Sequence, residues 1–205
     1  SAKDVSSSNI ILALVEKNQK GVLVDSKTLM DSRSYSEIIF KNVEVKNDYL
    51  LSSKNDGKNI LEKVFDIARI GYAAEMLGGI QQAFDMTISY LKTREQFGVK
   101  IGSFQSLQHR SALMFAEIEL CKSIVLKALQ SIDSFEEISK NASLAKAKLG
   151  LTYKLISNEA IQMHGGIGVT DDSDIGFFLK RSRVIEKAFG DSNFHLDRLS
   201  KIGGY

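Results

Sequence analysis

Residues 64–91, VFDIARIGYAAEMLGGIQQAFDMTISYL, decide the fold class of this chain. Apolar side chains recur in this stretch every three or four residues, which is the spacing of one face of an α-helix. The predicted buried face consists of Val64, Ile67, Ala68, Gly71, Ala74, Leu77, Phe84, Ile88 and Leu91. A helix of this length is long for a globular domain, and it favours a helical bundle.

Further helical segments follow it. The pattern resumes over residues 105–132, and a third segment runs from a cap at Asp133 or Ser134 until Gly165 ends it. Two shorter helices complete the chain. The predicted buried residues of the second and third helices are Leu107, Met114, Ile118, Cys121, Val125, Leu129, Ile138, Ala142, Ala145, Leu149, Leu155 and Ile161. Long amphipathic helices with short connections pack as an antiparallel bundle.

The first fifty residues differ from the rest. Residues 10–16, 21–24 and 35–43 are short apolar or alternating runs separated by polar turns, which predicts three or four strands. So small a sheet would have unpaired edges, and we expect it to belong to a larger one. The predicted fold is mainly α: a small antiparallel β fragment (residues 1–53) precedes an antiparallel four- to five-helix bundle (residues 54–205).

Composition excludes several classes of protein. The 205 residues carry 27 basic and 25 acidic side chains, and a net charge of +2 gives no strong field, which disfavours a nucleic-acid partner. No run is long and apolar enough for a membrane span, and Cys121 has no second cysteine to pair with, so we expect a cytoplasmic setting. Residues 1–9 show no signal peptide, and the start is consistent with a cut inside a longer protein.

The residues that carry chemistry do not form a metal site by spacing. His109, His164 and His195 are isolated, and the acidic residues 171–174 lack the rest of a calcium loop, so we expect no metal. No G-x-S-x-G elbow identifies a catalytic serine. The glycines in residues 165–168 follow a helix and lack a Walker lysine, which disfavours a phosphate loop.

Two motifs leave a choice between ligand binding and helix termination. Residues 93–98, TREQFG, place an arginine beside an aromatic ring, which suits a phosphate and a flat heterocycle. An arginine at a helix end also complements the helix dipole. The glycines of residues 165–168 would admit a ligand or simply form a C-cap. Composition alone does not decide between these interpretations.

Taken together, the motifs resemble a known family. Residues 93–98 (TREQFG), 101–109 (IGSFQSLQH) and 162–168 (QMHGGIG) are similar in order and spacing to the C-terminal half of the acyl-CoA dehydrogenases. Residues 12–24 and 38–45 resemble the end of that family's middle β-domain. The resemblance covers nearly the whole chain, whereas the family's N-terminal helical domain and most of its β-domain have no counterpart in this sequence.

The resemblance implies an oxidoreductase of fatty acid metabolism with FAD as cofactor. In the family, the matching residues reach the FAD of a neighbouring subunit, so FAD binding is a property of the oligomer. We therefore expect a homodimer, a dimer-of-dimers homotetramer or a heteromer, with an electron-transfer flavoprotein as electron acceptor. The residues implied in FAD binding are Arg94, Phe97, Ile101, Gln105, Gln162, Gly165 and Gly166.

The resemblance also implies an acyl-CoA substrate. Asp66 and Arg69 match family residues beside the thioester and pantetheine of CoA. The alternative interpretation of this pair is an i, i+3 ion pair on a helix surface. The sequence leaves both possibilities open.

One departure from the family concerns its catalytic glutamate, which removes the α-proton of the thioester. The family places it at one of two positions, and here these hold Phe189 and Ala68. Glu186 and Glu75 are the nearby carboxylates, and each is more simply interpreted as a solvated or paired helix residue. Two hypotheses follow: a dehydrogenase whose base is an unconventional residue or comes from a partner subunit, and a non-catalytic FAD-binding or structural subunit of a heteromeric dehydrogenase.

Overall fold

The computed structural model describes residues 1–4, 9–52 and 56–205 of the chain. The chain divides into two compact units, residues 1–65 and residues 66–205. The first contains short strands, and the second contains the helical core.

The first unit contains antiparallel strand pairs. Strand β1 (Ala2–Lys3) pairs with β2 (Ile10–Ile11), and β3 (Val22–Thr28) pairs with β4 (Ser34–Phe40) as a hairpin. The β-branched and aromatic residues of β3 and β4 favour this pairing. The prediction of three or four strands in this segment is confirmed.

Both faces of the β3–β4 hairpin carry exposed apolar side chains. Leu23 pairs with Ile39 on one face, and Val24 pairs with Ile38 on the other. Two apolar faces are typical of strands inside a covered sheet, so membership of a larger sheet stays a prediction. The predicted domain boundary, between residues 53 and 54, falls outside the described residues and is likewise still a prediction.

Five α-helices lie in the described residues: α1 (Gly57–Thr93), α2 (Gln105–Ser134), α3 (Ile138–His164), α4 (Ile175–Lys187) and α5 (Ser192–Gly203). Helix α3 packs against α2, α4 and α5. The predicted fold class, mainly helical with small antiparallel β pieces, is confirmed.

The hydrophobic core lies among the helices of the second unit. The predicted faces of α2 and α3 are largely correct, although Leu129 is exposed. The predicted face of α1 is wrong near its start, where Val64 is 53% exposed and Ile67 is 38% exposed. Farther along the helix, the predicted residues pack against the core, buried at Leu91 and partly buried at Ala74, Leu77, Phe84 and Ile88. Helix α1 is apolar on most sides, so residue spacing fits more than one face. Its buried apolar residues are Ile70, Ala73, Met76, Ile80, Ala83 and Leu91.

The link between α2 and α3 differs from the prediction. Asp133 and Ser134 belong to the last turn of α2 and do not cap α3. Phe135 and Glu137 take left-handed backbone conformations, with φ of 56° and 47°, and make the turn without a side-chain cap on α3. The prediction failed because backbone geometry supplies what a capping side chain would otherwise provide.

Candidate functional site

A groove in the second unit brings together two motifs that are far apart in sequence. Arg94 and Ile101 come from the segment after α1, and Gly165 and Gly166 follow α3. All four line one groove of about 480 Å³. The structure thus assembles much of the predicted cofactor set in one place.

Arg94 is fixed at the point where α1 ends. Its N–H donates to Tyr90 O, and its carbonyl accepts from Ile101 N at 2.9 Å. The intervening residues form a hairpin that the sequence did not predict, with strand β5 (Glu95–Gln96) paired to β6 (Val99–Lys100). The backbone of Arg94 is therefore held on both sides, while its side chain is exposed.

The tip of this hairpin presents an aromatic ring to solvent. Phe97 and Gly98 form the two-residue turn, and both have positive φ, at 55° and 76°. Such a turn matches the twist of the strands, but it is unfavourable for a residue as bulky as phenylalanine. Phe97 is nevertheless 88% exposed, with an edge contact to Phe104 at 6.2 Å between ring centroids.

The glycine turn after α3 has distinct requirements at each position. Gly165 ends the helix with φ of 67°. A Cβ on Gly168 would lie 2.9 Å from the Ile161 carbonyl oxygen and 3.0 Å from His164 Cβ, so the fold itself requires glycine there. Gly166 has no positive φ, and a Cβ on it would meet nothing within 4 Å. The fold therefore gives no reason for glycine at 166, a residue that lines the groove.

The other predicted cofactor residues lie outside the groove lining. Gln105 begins α2, and Gln162 lies in the last turn of α3, where its backbone carbonyl accepts from Gly165 N. Both side chains are exposed. Together with Phe97, they could contact a ligand only beyond the groove.

The predicted substrate residues lie in a buried polar cluster. Asp66 is 1% exposed and Arg69 is 5% exposed. Asp66 accepts from Arg69 at 2.8 Å, from Ser139 at 2.6 Å and from both terminal nitrogens of Arg198 at 2.6 and 3.0 Å. Burial alone would raise the pKa of Asp66, but the hydrogen bonds from Arg198, Ser139 and Arg69 outweigh burial and keep that pKa below its usual value.

The same cluster holds the turn before α5. The Phe189 carbonyl accepts from Arg69 Nε at 3.2 Å and from His195 Nε2 at 3.1 Å. Burial, together with the nearby Arg69 and Lys146, lowers the pKa of His195 to about 4, so its ring is neutral at pH 7. Burial also lowers the pKa of Lys146 to about 8, and its Nζ donates to the Ile185 carbonyl at the end of α4.

Sequence reasoning missed several members of this cluster. Arg198 meets Asp66 across 132 residues of sequence, and neither Arg198 nor Lys146 belongs to a motif. His195 was noted in the sequence only as an isolated histidine, and it is fully buried. No local sequence pattern predicts that these residues lie close together in the fold.

The two family positions of the catalytic base contain no titratable group. Phe189 has φ of 56°, and its ring lies 5.4 Å from the ring of Tyr72. Ala68 is half-buried on α1. Of the nearby carboxylates, Glu186 accepts from Ser192 N at the start of α5. The other, Glu75, pairs with a cation on α4, Arg181, at 2.8 Å.

Neither a metal-ligand cluster nor a membrane-spanning helix is found in the described part of the chain. Within residues 1–4, 9–52 and 56–205, no three His, Cys, Asp or Glu side chains are grouped as metal ligands would be. Over the same ranges, no helix is long and apolar enough to cross a membrane.

Comparison with known proteins identifies the family. Residues 55–203 match the model of the acyl-CoA dehydrogenase C-terminal domain. The chain belongs to the acyl-CoA dehydrogenase family. The resemblance found in the motifs is therefore confirmed, and the chain corresponds to the C-terminal portion of a dehydrogenase.

Individual relatives agree with this assignment. The chain is 30% identical to the rat (Rattus norvegicus) mitochondrial short/branched chain specific acyl-CoA dehydrogenase, over 92% of this chain and 44% of the rat protein. It is 32% identical to the caffeyl-CoA reductase-Etf complex subunit CarC of Acetobacterium woodii, over 73% of this chain and 39% of that subunit. The chain thus spans less than half of either relative.

A solved structure shows the same fold. Butyryl-CoA dehydrogenase from Megasphaera elsdenii superposes with a TM-score of 0.93 at 24% identity, over 98% of this chain and 54% of that one. At this identity the likeness concerns the fold alone. Members of the acyl-CoA dehydrogenase family typically bind FAD.

Proposed function

We propose that this chain is the C-terminal part of an FAD-dependent acyl-CoA dehydrogenase and that its groove holds FAD at a boundary between subunits. The observation that carries the proposal is the groove, which Arg94 and the Gly165–Gly166 turn both line. Some seventy residues separate them in the sequence, and both belong to the motifs that resemble the family. When bound, FAD supplies the acceptor for the hydride that leaves the acyl-CoA.

The residues of the groove fit a dinucleotide. Arg94 offers a planar set of donors, which suits a pyrophosphate better than a point charge would. The open space at Gly166 lets a ligand approach the backbone closely, and the fold does not otherwise need glycine there. The neighbouring Ile101 and Met163 add apolar surface to the groove.

The hairpin supports a cofactor shared between subunits. Phe97 has an unfavourable backbone conformation and is 88% exposed, so packing within this chain does not explain a phenylalanine at this position. A ring at the tip of a hairpin would contact a cofactor held mainly by another subunit. We therefore propose a homodimer, a dimer-of-dimers homotetramer or a heteromer. A cytoplasmic setting is a separate proposal, which comes from the sequence.

The buried cluster supports a positioning role for Arg69. Its Nε donates to the Phe189 carbonyl, and its side chain is 6% exposed, so it acts on the turn before α5. We propose that Asp66 and Arg69 shape the acyl-CoA channel by fixing that turn. An electron-transfer flavoprotein is the proposed electron acceptor, and the Acetobacterium relative is itself named as a subunit of an Etf complex.

A non-catalytic FAD-binding subunit is the second candidate function. The side chains of Phe189 and Ala68 cannot accept a proton. The Glu186 carboxylate accepts a hydrogen bond from the backbone at the start of α5, and the Glu75 carboxylate pairs with a cation on α4. This arrangement favours a base supplied from outside the described residues, or no base at all. In the second case the chain would keep its cofactor surface for assembly.

Anaerobic flavin reduction distinguishes the two candidates. The longest natural polypeptide containing this sequence is loaded with FAD and mixed with acyl-CoA thioesters, and loss of the oxidised flavin absorbance is followed. Reduction by the homomer supports the dehydrogenase. Persistent oxidised flavin in the homomer, with reduction restored by a partner subunit, supports the non-catalytic role. A protein that retains no FAD in any of these assemblies contradicts both.

A further inference from the structure

Helix α5 is attached to the bundle mainly through polar side chains. The structure describes the whole helix, and its two buried residues, Ser192 and His195, are both polar. Its apolar side chains are half-buried or exposed, namely Phe194, Leu196, Leu199 and Ile202. Helices α2 and α3, by contrast, bury rows of apolar side chains in the core. Burial of apolar surface therefore contributes less to the attachment of α5 than to that of α2 and α3.

The buried histidine of α5 is held in one tautomer. His195 Nε2 lies 3.1 Å from the Phe189 carbonyl oxygen, which can only accept a hydrogen bond, so Nε2 carries the hydrogen. Burial and the neighbouring cations lower the pKa of His195 to about 4, so the ring is neutral at pH 7 and its Nδ1 is an acceptor. This Nδ1 accepts the hydroxyl hydrogen of Ser143, a residue of α3, at 3.3 Å.

Arg198 extends these hydrogen bonds to α1. Its Nη1 donates to Ser143 Oγ at 2.9 Å, and its two terminal nitrogens donate to the two carboxylate oxygens of Asp66 at 2.6 and 3.0 Å. A guanidinium and a carboxylate paired at two points fix each other's orientation. We call Asp66, Ser143, His195 and Arg198 the α5 network, because together they connect α5 to α1, α3 and the turn before α5.

We propose that α5 is a reversibly docked helix, which the α5 network holds on the bundle and which detaches as a separate unit while α2 and α3 stay folded. An isolated helix of 12 residues is marginal in water, so α5 loses its helical hydrogen bonds when it detaches. Segments with few buried apolar contacts open at a lower free energy than the core. Detachment leaves the Phe189 carbonyl with the bond from Arg69, so the turn before α5 loosens at the same time.

Native-state hydrogen exchange of the longest natural polypeptide containing this sequence tests the proposal. Exchange of peptides from α2, α3 and α5 is followed by mass spectrometry, at urea concentrations below the unfolding transition. We expect the amides of α5 to be protected from exchange, but at least about tenfold less than those of α3. Their exchange should also depend less on urea, because detachment exposes less surface than global unfolding does.

Two methionine substitutions in α5 test whether the network controls the detachment. Arg198→Met removes the guanidinium of the network, whereas Lys201→Met removes an exposed cation that pairs with Asp197 on the same helix. We expect Arg198→Met to lower the protection of α5 at least about tenfold, and Lys201→Met to lower it less than about threefold. Ser143→Ala interrupts the network at its middle and should change the protection of α5 in the same direction as Arg198→Met.

A core substitution in α2 tests whether α5 opens on its own. Ile118 is 1% exposed, and Ile118→Val should lower the protection of α2 and α3 roughly 2- to 12-fold. The contacts of Ile118 in the core persist when α5 detaches, so the protection of α5 should be unchanged in this variant.

Three results would overturn the proposal. The first is protection of α5 that falls together with that of α3 in Ile118→Val. The second is a native protein in which α5 either has the protection and urea dependence of α3 or has no protection at all. The third is equal protection of α5 in Lys201→Met and in a folded Arg198→Met or Ser143→Ala protein, since the network would then not hold the helix.

Discussion

Substitution of alanine for Gly166 tests whether glycine at this position is required for stability or for FAD binding. Gly166 has no positive φ, and a Cβ there meets no atom within 4 Å. Alanine lowers the conformational entropy of the unfolded chain, so we expect Gly166→Ala to leave the protein as stable as the native or up to about 1 kcal/mol more stable. This corresponds to a rise in Tm of up to about 4 °C.

The same methyl group would occupy the space in which we place the cofactor. An extra methyl in a packed contact costs about 1–3 kcal/mol, or roughly 5- to 150-fold in FAD affinity. Gly168→Ala is the matched control. Its Cβ would lie 2.9 Å from the Ile161 carbonyl oxygen, so we expect this variant to lose about 1–3 kcal/mol of stability.

The assay combines two measurements on each variant. Thermal unfolding is recorded on the apoprotein, because bound FAD would itself raise Tm. FAD retention is the ratio of flavin to protein after gel filtration. A stable Gly166→Ala protein with native FAD retention would refute the assignment of the cofactor to this groove. A strongly destabilised Gly166→Ala protein would refute the conclusion that a Cβ at residue 166 contacts no other atom of the fold.

Three other predictions concern the hairpin and the buried cluster. Phe97→Asn should be up to about 1 kcal/mol more stable, because asparagine tolerates positive φ, yet should retain less FAD; unchanged retention would contradict a contact of the ring with cofactor. Asp66→Asn should lose about 3–5 kcal/mol in urea unfolding, since the buried guanidinium of Arg69 and the partly buried guanidinium of Arg198 would face an uncharged amide, whereas the exposed Asp85→Asn should change little. The pKa of His195 is about 4 in the folded protein and 6.5 ordinarily, so the unfolded chain binds a proton at higher pH than the folded protein does. The free energy of unfolding should therefore fall as the pH falls from 6.5 to 4, by at most about 1.4 kcal/mol per pH unit. A His195→Gln variant with the same slope over that range would refute this assignment; the Asp66 carboxylate contributes its own pH dependence only below the ordinary aspartate pKa of 3.8.

Sequence patterns predicted the buried residues best in α2 and α3, where each helix has one apolar face. For α2 and α3, the spacing of Met114, Ile118, Ala142 and Ala145 identified residues that are buried. On α1 the same spacing failed at Val64 and Ile67 and otherwise selected mainly partly buried residues, because this helix is apolar on most sides and several faces fit the period. Periodicity is informative only where the opposite face is polar.

The site was predictable where motifs define it and unpredictable where the contacts are long-range. The groove was found because Arg94 and Gly166 belong to motifs whose order and spacing carry information. The β5–β6 hairpin was missed because phenylalanine is not a usual residue for the first position of such a turn, so Gly98 alone signals it. The contact between Asp66 and Arg198 spans 132 residues and leaves no local pattern.

FAD retention by Arg94→Ala tests the central claim most directly. The variant, the native protein and an Arg183→Ala control are purified as the longest natural polypeptide containing this sequence, and the ratio of FAD to protein is measured. Arg183 is an exposed arginine of α4 that donates to Asn158 at 2.9 Å, so its loss changes surface charge equally. We predict FAD in the native protein and the control, and its loss from Arg94→Ala. Equal FAD content in all three would contradict the account.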